Sequence, residues 1–587
     1  SSHCGPVWRD TPPAAASVPH LLRAPQGGRA MPPSQSRVLV VGGSFAGLCI
    51  GRDLKKDFLV TIVDAKEFFE YTPGVLRAYV KPKHLDALTF TLYPVIEYQM
   101  GLKFIWGEVL EMKPDRTAVI KPMFTTAQET IDFDYSIIAA GCNFGVFHKW
   151  GESLWFPTIH EKARPEGSWA HIDERFLEGR RRHVLEEYKS IREMNAAKAS
   201  VMVVGAGFIG VEWVTELEHF FPSLSLAICD MLPKCLGPLP ESAAEYCVKY
   251  MKRKGITQIY GEKFDEKSPE YLAKTGLKDK SGKPGWDKKY VCVGVKASNY
   301  FMPEETLSTV GPGGGKWILM DQTLAVRTRE GKRWSVDEKG YGRIYAVGDC
   351  NFGCVEIPPD DPDLLREATG HISGPFLGGA STKADITVTG DQVFKRFDEV
   401  MIAEKKYEIL SITAPKTHGA TTVYSVVMGT PFAGKAAGAG VEVKKVGGAG
   451  RSINAWPVPP IPKISYPGEE EAVIACANIH RIEKLKHGKT VDCCYAPLQP
   501  AKMHWPWGAG MFATSLGPDT ACFVAGANWQ KNSGLCCVWG PPCAVQKEII
   551  EASKTDECAN GVIGRMIWHF VHHTPVHLFG GAPRWGY

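Results

Sequence analysis

No Cys-x-x-Cys pair occurs among the 17 cysteines of this 587-residue chain. Neither Cys493-Cys494 nor Cys536-Cys537 has a second pair at zinc-binding spacing, so no structural zinc site is expected. Thiols spread this thinly over a long chain argue for reduced cysteines in an intracellular compartment rather than a disulfide scaffold. Apolar runs of about 18 residues are also missing, which excludes a spanning helix. An excess of one charge is lacking as well: 68 basic against 64 acidic side chains leave a net charge of +4, which gives no argument for nucleic acid. The first 36 residues are almost without acid, Asp10 being the exception, and are rich in Pro, Ala and Arg. They read as a flexible leader, either a targeting segment or a stretch ahead of a start at Met31. Met31-Pro32 lacks the glycine that N-myristoylation needs.

What is present is an ordinary globular composition, 44% hydrophobic, 22% charged and 10% aromatic. The length exceeds what one hydrophobic core supports, so two or three domains are expected. Arg37 to Val41 is a short apolar run leading into glycines, Ala46 to Leu54 follows at helical spacing, and a second strand, Leu59 to Val63, ends in Asp64. The same order of strand, glycine turn, helix, strand and acid recurs from Val201 to Asp230. Asp173 to Met194 reads as a charged helix linking the two units. Lys316 to Val326 and Arg343 to Val347 read as strands closing the first sheet. Ile386 to Met428 alternates enough to be a small appended subdomain. Ala433 to Gly450 is glycine-rich and reads as a loop or linker. A helix is expected over Glu469 to Ile479, and another from about Ala544 to His573.

The glycine turns carry the chemistry. Gly205-Ala206-Gly207-Phe208-Ile209-Gly210 matches the dinucleotide pattern G-x-G-x-x-G in full, and Gly42-Gly43-Ser44-Phe45-Ala46-Gly47 matches it except at Ser44, where the backbone approaches the pyrophosphate. In both, the amides at a helix N-terminus face the phosphates. Asp64 follows Gly42 by 22 residues (42 to 64), where a carboxylate accepts ribose hydroxyls. Asp230 follows Gly205 by 25 (205 to 230) and would repel a 2′-phosphate, so NADH is preferred over NADPH. The strand Arg343 to Val347 ends in Gly348-Asp349, an acid placed to bind the ribityl chain of a flavin, which assigns FAD to the first turn.

With those residues the chain resembles the two-dinucleotide-domain pyridine-nucleotide flavoproteins, in the branch of apoptosis-inducing-factor-like NAD(P)H:quinone oxidoreductases and type II NADH dehydrogenases. Asp134 to Gly141 resembles the family's crossover between domains, with Ala140 where Thr is usual, and Tyr290 to Tyr300 resembles the return. Pro462 to Tyr466 and the helix after it resemble the segment beside the flavin ring, and Gly107 and Val109 the element whose backbone meets the adenine. The resemblance covers about residues 37 to 350 and 456 to 530. It implies an α/β fold of two Rossmann-like units, the NAD-binding one inserted in the FAD-binding one, with a C-terminal α+β region. The expected divisions are a leader over 1–36, FAD-binding segments over 37–155, 298–355 and 456–515, an NAD(H)-binding domain over 156–297, an insert of unknown structure over 356–455, and a C-terminal region over 516–587.

The family's disulfide reductases carry a redox cysteine pair after the first acid, but Glu67 to Val80 holds no cysteine. Electrons then leave by another route, and the quinone-reducing branch resembles this case. Expected rivals are a reductase of another acceptor (ferredoxin, monodehydroascorbate, or a sulfide:quinone type, given Cys142 and Cys350 beside the flavin region) and a slow redox sensor acting through a partner. Glu212 is the candidate polar group near the reacting rings, its bland alternative being a first-turn glutamate on the helix dipole. Lys502, with Trp505 and Trp507, is the candidate lining of an acceptor pocket, although such aromatics are often core. His569, His572, His573 and His577 have no accompanying carboxylate and are not read as a metal site. The stripe Met566, Ile567, Trp568, Phe570 and Val571 packs on its own domain or a dimer partner, or lies on a membrane surface. The expected compartment is intracellular, cytoplasmic or organellar.

Overall fold

The computed structural model describes residues 35–143, 174–237, 239–309, 314–321, 323–355, 368–373, 383–390, 394, 398–412, 416–428, 440–447, 465–488, 511–525 and 536–578. The expectations for the leader and for Lys502, Trp505 and Trp507 fall outside these residues.

Strand Arg37–Val41 is buried at all but its first residue. It pairs in parallel with Leu59–Asp64 on one side and Tyr135–Ile138 on the other. Helix Phe45–Leu54 makes the crossover. Such strands are apolar throughout because both faces of the sheet are covered. The full sheet runs Ile344–Ala346, Tyr135–Ile138, Arg37–Val41, Leu59–Asp64, Lys103–Met112, Thr117–Pro122, Glu129–Asp132. Its last three strands form an antiparallel meander.

The second unit is a four-stranded parallel sheet in the order Thr257–Tyr260, Ser225–Asp230, Ser200–Val204, Lys288–Val291. Helix Leu177–Ala196 leads into it. On the way out, Lys296–Ala297 pairs antiparallel with Cys142–Asn143, and the Ser298 amide donates to the Gly141 carbonyl at 3.0 Å. The two crossovers therefore run side by side. The chain then returns Ile344–Ala346 to the first sheet, beside Tyr135–Ile138, so the second unit is inserted in the first. Only part of Lys316 to Val326 is strand: Ile318–Met320 pairs with Asn351–Val355 in a ribbon of its own rather than closing the main sheet. The backbone turns back at Asp321, whose carboxylate accepts from the amides of Thr323 and Ala325 at 2.7 and 3.2 Å.

The insert is a β-barrel. Lys383–Thr389 pairs with Thr369–Ile372 at one edge and with Thr421–Met428 at the other. Glu442–Gly447, Glu399–Ile402 and Lys405–Ile412 complete the ring. Ile386, Val400, Ile402, Ile409 and Val443 fill it, fully buried. The glycine-rich stretch expected as a linker thus contains a barrel strand, Glu442–Gly447. Its alternation puts Val443 inside together with Lys445, whose ammonium is compensated by Asp398 at 2.9 Å.

Helix Ser465–Lys486 returns to the first unit. After it come a three-stranded antiparallel sheet, Met511–Ser515, Ala521–Ala525 and Cys536–Gly540, and two helices, Pro541–Cys558 and Val562–Leu578. The first hairpin straddles the division expected at 515/516. The single helix expected over Ala544 to His573 is two, broken where Asn560 takes φ +63° ahead of Gly561. Trp568 faces inward, its indole donating to Ser553 Oγ at 3.2 Å beneath the Lys554 ammonium. Val562, Ile563, Met566 and Phe570 are exposed. No described helix is long and apolar enough to cross a membrane.

Candidate functional site

Each glycine turn sits where a parallel strand hands over to a helix. Gly42 and Gly205 take φ of +108° and +104°, a region that favours glycine because a Cβ crowds the backbone. Their amides donate to Val63 and Cys229 carbonyls, both at 2.8 Å. A Cβ on Gly47 or Gly210 would collide with the carbonyl oxygen of Gly42 or Gly205, so helix and strand approach this closely only through glycine. The next strand's acid closes each turn in the same way. Asp64 accepts from the Gly43 amide at 2.6 Å and the Lys66 amide at 2.7 Å. Asp230 accepts from the Ala206 amide at 2.7 Å and the Leu232 amide at 2.9 Å. These bonds fix the carboxylates and leave lone pairs for ribose hydroxyls.

The middle position behaves differently. Gly207 has an extended backbone with no atom within 4 Å of where a Cβ would sit, and Ser44 is extended too. The protein alone does not require glycine there, which is why serine is accommodated. The first amides of each helix have no partner within their helix, and such amides at a glycine turn suit a pyrophosphate. Phe45 and Ala46, and Phe208 and Ile209, begin the two helices behind those amides.

Gly348 follows Ile344–Ala346 at φ +70°, and its amide donates to Glu471 at 2.5 Å. Glu471 also accepts from Asn351 Nδ2 at 2.7 Å. The start of helix Ser465–Lys486 is thereby locked onto the Gly348-Asp349 turn, with Gly468 against Gly348. Cys142 Sγ lies 3.8 Å from Asp349 Oδ2, beside Gly141 (φ +68°). The first turn, the crossover and Asp349 thus line one end of the first sheet. Val109 is buried on strand Lys103–Met112 at a register shift opposite Ile120. Cys350 is fully buried, its thiol donating to the Ile138 and Val347 carbonyls at 3.4 and 3.3 Å.

Two nested sheets, each with a glycine turn and a closing acid, make a pair of dinucleotide-binding folds. Residues 36–371 match the family described as Pyridine nucleotide-disulphide oxidoreductase. The chain belongs to this family. Among its relatives, apoptosis-inducing factor homolog B of Dictyostelium discoideum is 21% identical over 345 residues, 54% of this chain and 76% of the relative. The type II NADH:quinone oxidoreductase of Staphylococcus aureus is 22% identical over 433 residues, 69% and 93%. Of solved structures, the sulfide:quinone oxidoreductase of Aquifex aeolicus superposes with a TM-score of 0.53 at 12% identity, covering 93% of this chain and 96% of that one. NDH2 from Plasmodium falciparum in complex with NADH gives 0.51 at 11%, covering 94% and 100%. At such identities the structures share the fold alone. As a member of this family the chain is an FAD-dependent NAD(P)H oxidoreductase.

Glu212 lies in the helix after the second turn. Its carboxylate accepts from the Ser515 amide at 2.8 Å and is paired with Lys547, which ties the second unit to the C-terminal region. It also lines a shallow pocket open to solvent, with Pro73, Gly74, Arg77, Glu216 and Lys547 among its walls. Composition and spacing do not point to Arg77, Glu216 and Lys547, since they come from three distant segments. Arg77 bonds Glu216 at 2.9 Å. Burial pushes the Glu216 carboxyl above its ordinary range, against the pull of Arg77. The second oxygen of Glu216 is buried without a hydrogen-bond partner. Tyr71 joins this pocket to the first glycine turn: its ring meets Phe45 edge-on at 5.7 Å, and its carbonyl accepts from the Gly74 amide at 3.1 Å.

Proposed function

We propose that this family member passes electrons from NADH through FAD to a quinone-type acceptor. The observation that carries the reading is the stretch Glu67 to Val80: it has no cysteine pair to receive electrons, and Pro73, Gly74, Leu76 and Arg77 instead wall an open pocket. Bound FAD supplies the redox chemistry, accepting a hydride and returning electrons. The chain's part is to hold and to exclude. The first turn, Gly42 to Gly47, binds FAD pyrophosphate through helix amides, Asp64 the ribose, the backbone at Val109 the adenine, and Gly141, Gly348 and Asp349 the flavin end. The second turn, Gly205 to Gly210, binds NADH, and Asp230 disfavours the 2′-phosphate of NADPH.

Glu212 and Glu216 place two carboxyl groups in the pocket. Reduction of a quinone to a quinol consumes two protons, and burial strengthens the hold of Glu216 on a proton, which suits it to carry one toward an acceptor. Lys502 remains the proposed partner from the segment after helix Ser465–Lys486. The relatives named for quinone reduction support the acceptor class.

The exposed stripe of Val562, Ile563, Met566 and Phe570 supports peripheral contact with a membrane, where quinones dissolve, or a homodimer contact. Replacing Ile563, Met566 and Phe570 by serine is expected to reduce co-sedimentation with liposomes; if the variant instead changes the sedimentation coefficient, the stripe is a dimer contact. The function is tested by purifying the protein and following NADH and NADPH oxidation with a panel of acceptors. Rapid NADH turnover with short-chain quinones is expected. Equal or faster turnover with ferredoxin or monodehydroascorbate, or a stable reduced flavin that no acceptor reoxidises, would overturn the quinone assignment.

A further inference from the structure

One face of the C-terminal sheet meets the second unit. Residues paired across antiparallel strands share a face, so Cys522 points the same way as Thr514 and Trp539, and Val524 the same way as Phe512 and Cys537. Alternation along Ala521–Ala525 puts both sets on one side. There the ring of Phe512 stacks on Phe208, the first residue of the helix after the second glycine turn, at 4.9 Å and 3°. Helix Glu241–Arg253 of the second unit packs beside it: the Tyr246 ring stacks on Trp539 at 5.4 Å, and the Tyr246 hydroxyl lies 3.1 Å from Thr520 Oγ1.

Cys247 follows Tyr246 on that helix and is fully buried in one apolar core with Phe512, Cys522 and Val524. Its thiol donates a hydrogen bond to the Cys522 sulfur. Two free thiols from segments 275 residues apart (247 to 522) are thus in direct contact. The same bond holds the Cys522 thiol below its ordinary pKa, against burial, and pushes Cys247 up. The sulfur that ionises more readily supplies the thiolate nucleophile, with its partner already beside it. Cys522 lies one strand in from the outer strand Cys536–Gly540, where Cys537 is half-buried and Trp539 is 41% exposed. A single strand therefore stands between the pair and a small oxidant.

We propose that Cys247 and Cys522 are an oxidation site, which a peroxide converts to a disulfide that staples the second unit to the C-terminal sheet. The Cys522 thiolate attacks the peroxide and its O–O bond breaks. One oxygen stays on sulfur as a sulfenic acid; the other leaves as an alcohol or water, taking up the proton that Cys522 gave. The Cys247 sulfur then displaces the hydroxyl: the S–S bond forms, the S–O bond breaks, and the Cys247 proton leaves in the water released. The two thiols lose two electrons and the peroxide gains them. Because Phe208 stacks on the stapled face, the constraint falls on the unit that carries the second glycine turn.

The test uses purified holoprotein, reduced and then treated with a small excess of hydrogen peroxide, its remaining thiols alkylated and its peptides mapped without reduction. A peptide pair joined through Cys247 and Cys522, two hydrogen atoms lighter than its reduced parts and separated by dithiothreitol, is expected. Closing so long a loop should raise the melting temperature by about 5 °C, and Cys247→Ala and Cys522→Ser should each remove both the pair and the rise. Recovery of both residues as alkylated thiols after Cys536 has been oxidised overturns the site. So does a bond from Cys522 to Cys537 instead, or a rise that persists in Cys247→Ala. The peptide map is read on the wild type and decides the matter even where a variant fails to fold.

Discussion

Placed side by side, Gly42 to Gly47 and Gly205 to Gly210 follow one backbone path: first glycines at φ +108° and +104°, last glycines under a carbonyl oxygen, and an acid from the next strand bonded to the amide that follows the first glycine. They part at the middle residue, Ser44 against Gly207, and in the helices that follow. Seven residues past each first glycine stand Cys49 (42 to 49) and Glu212 (205 to 212). Cys49 is an uncharged thiol whose pKa burial raises, whereas Glu212 reaches Lys547 and Ser515 of the C-terminal region. The outer glycines answer to the chain itself, the middle residue is left unconstrained by it, and the helix residues answer to whichever neighbour each unit meets.

The largest expected effect breaks both turns alike. Gly47→Ala and Gly210→Ala each drive a Cβ into a carbonyl oxygen and should each cost about 4 kcal/mol or abolish folding, read by urea denaturation. Tolerance of either would mean that its helix start can shift.

The acids should separate the turns. Asp230→Ala is expected to weaken NADH by about 10- to 100-fold and to narrow the NADH over NADPH preference while flavin stays bound. Asp64→Ala should do the reverse, losing flavin with little effect on nucleotide binding to the second unit. Isothermal titration with NADH and the flavin absorbance of the purified variants read the two outcomes.

A smaller effect sharpens the difference at the middle position. Gly207→Ser copies Ser44 into the second turn, where a Cβ meets nothing. Stability should change by less than about 0.5 kcal/mol, and NADH affinity should fall by about tenfold or less. A large loss of stability would show that the open space is needed by the fold.

A pH-dependent effect compares the acids eleven residues past each first glycine, Asp53 and Glu216. Burial pushes Asp53 up to about 6 from 3.8, Arg52 opposing and Glu557 adding to it. A carboxyl that binds its proton more tightly when folded contributes stability that is full below about 3.8 and is lost as pH rises through about 6. Asp53→Asn is therefore expected to stabilise the protein by about 1 kcal/mol at pH 7.5 and by nothing at pH 3.5. Equal melting shifts at both pH values would contradict the assignment.

Much of this was legible in the sequence because it is written locally. The apolar strands, the glycines and the acids at strand ends lie within about thirty residues of each other, and periodicity finds them. The pattern does not say which glycines the backbone requires; the open Cβ position at Gly207 shows that the middle one, Ser44 in the first turn, is not among them. The pocket was not legible, since Arg77, Glu216 and Lys547 meet only through tertiary packing. The barrel strand Glu442–Gly447 was hidden by flanking glycines that outweighed the buried Val443 and Lys445. The break at Asn560 and Gly561 was hidden by helical spacing that continues across it.

The central claim is that two near-identical turns hold two different nucleotides in one electron path. Anaerobic titration of the purified protein with NADH, following flavin absorbance in the wild type and in Asp230→Ala, tests it most directly. The account predicts about one FAD per chain, bleached by stoichiometric NADH in the wild type, and the same FAD content with a much higher NADH requirement in the variant. A protein that binds no flavin, or a variant bleached as readily as the wild type, would contradict it.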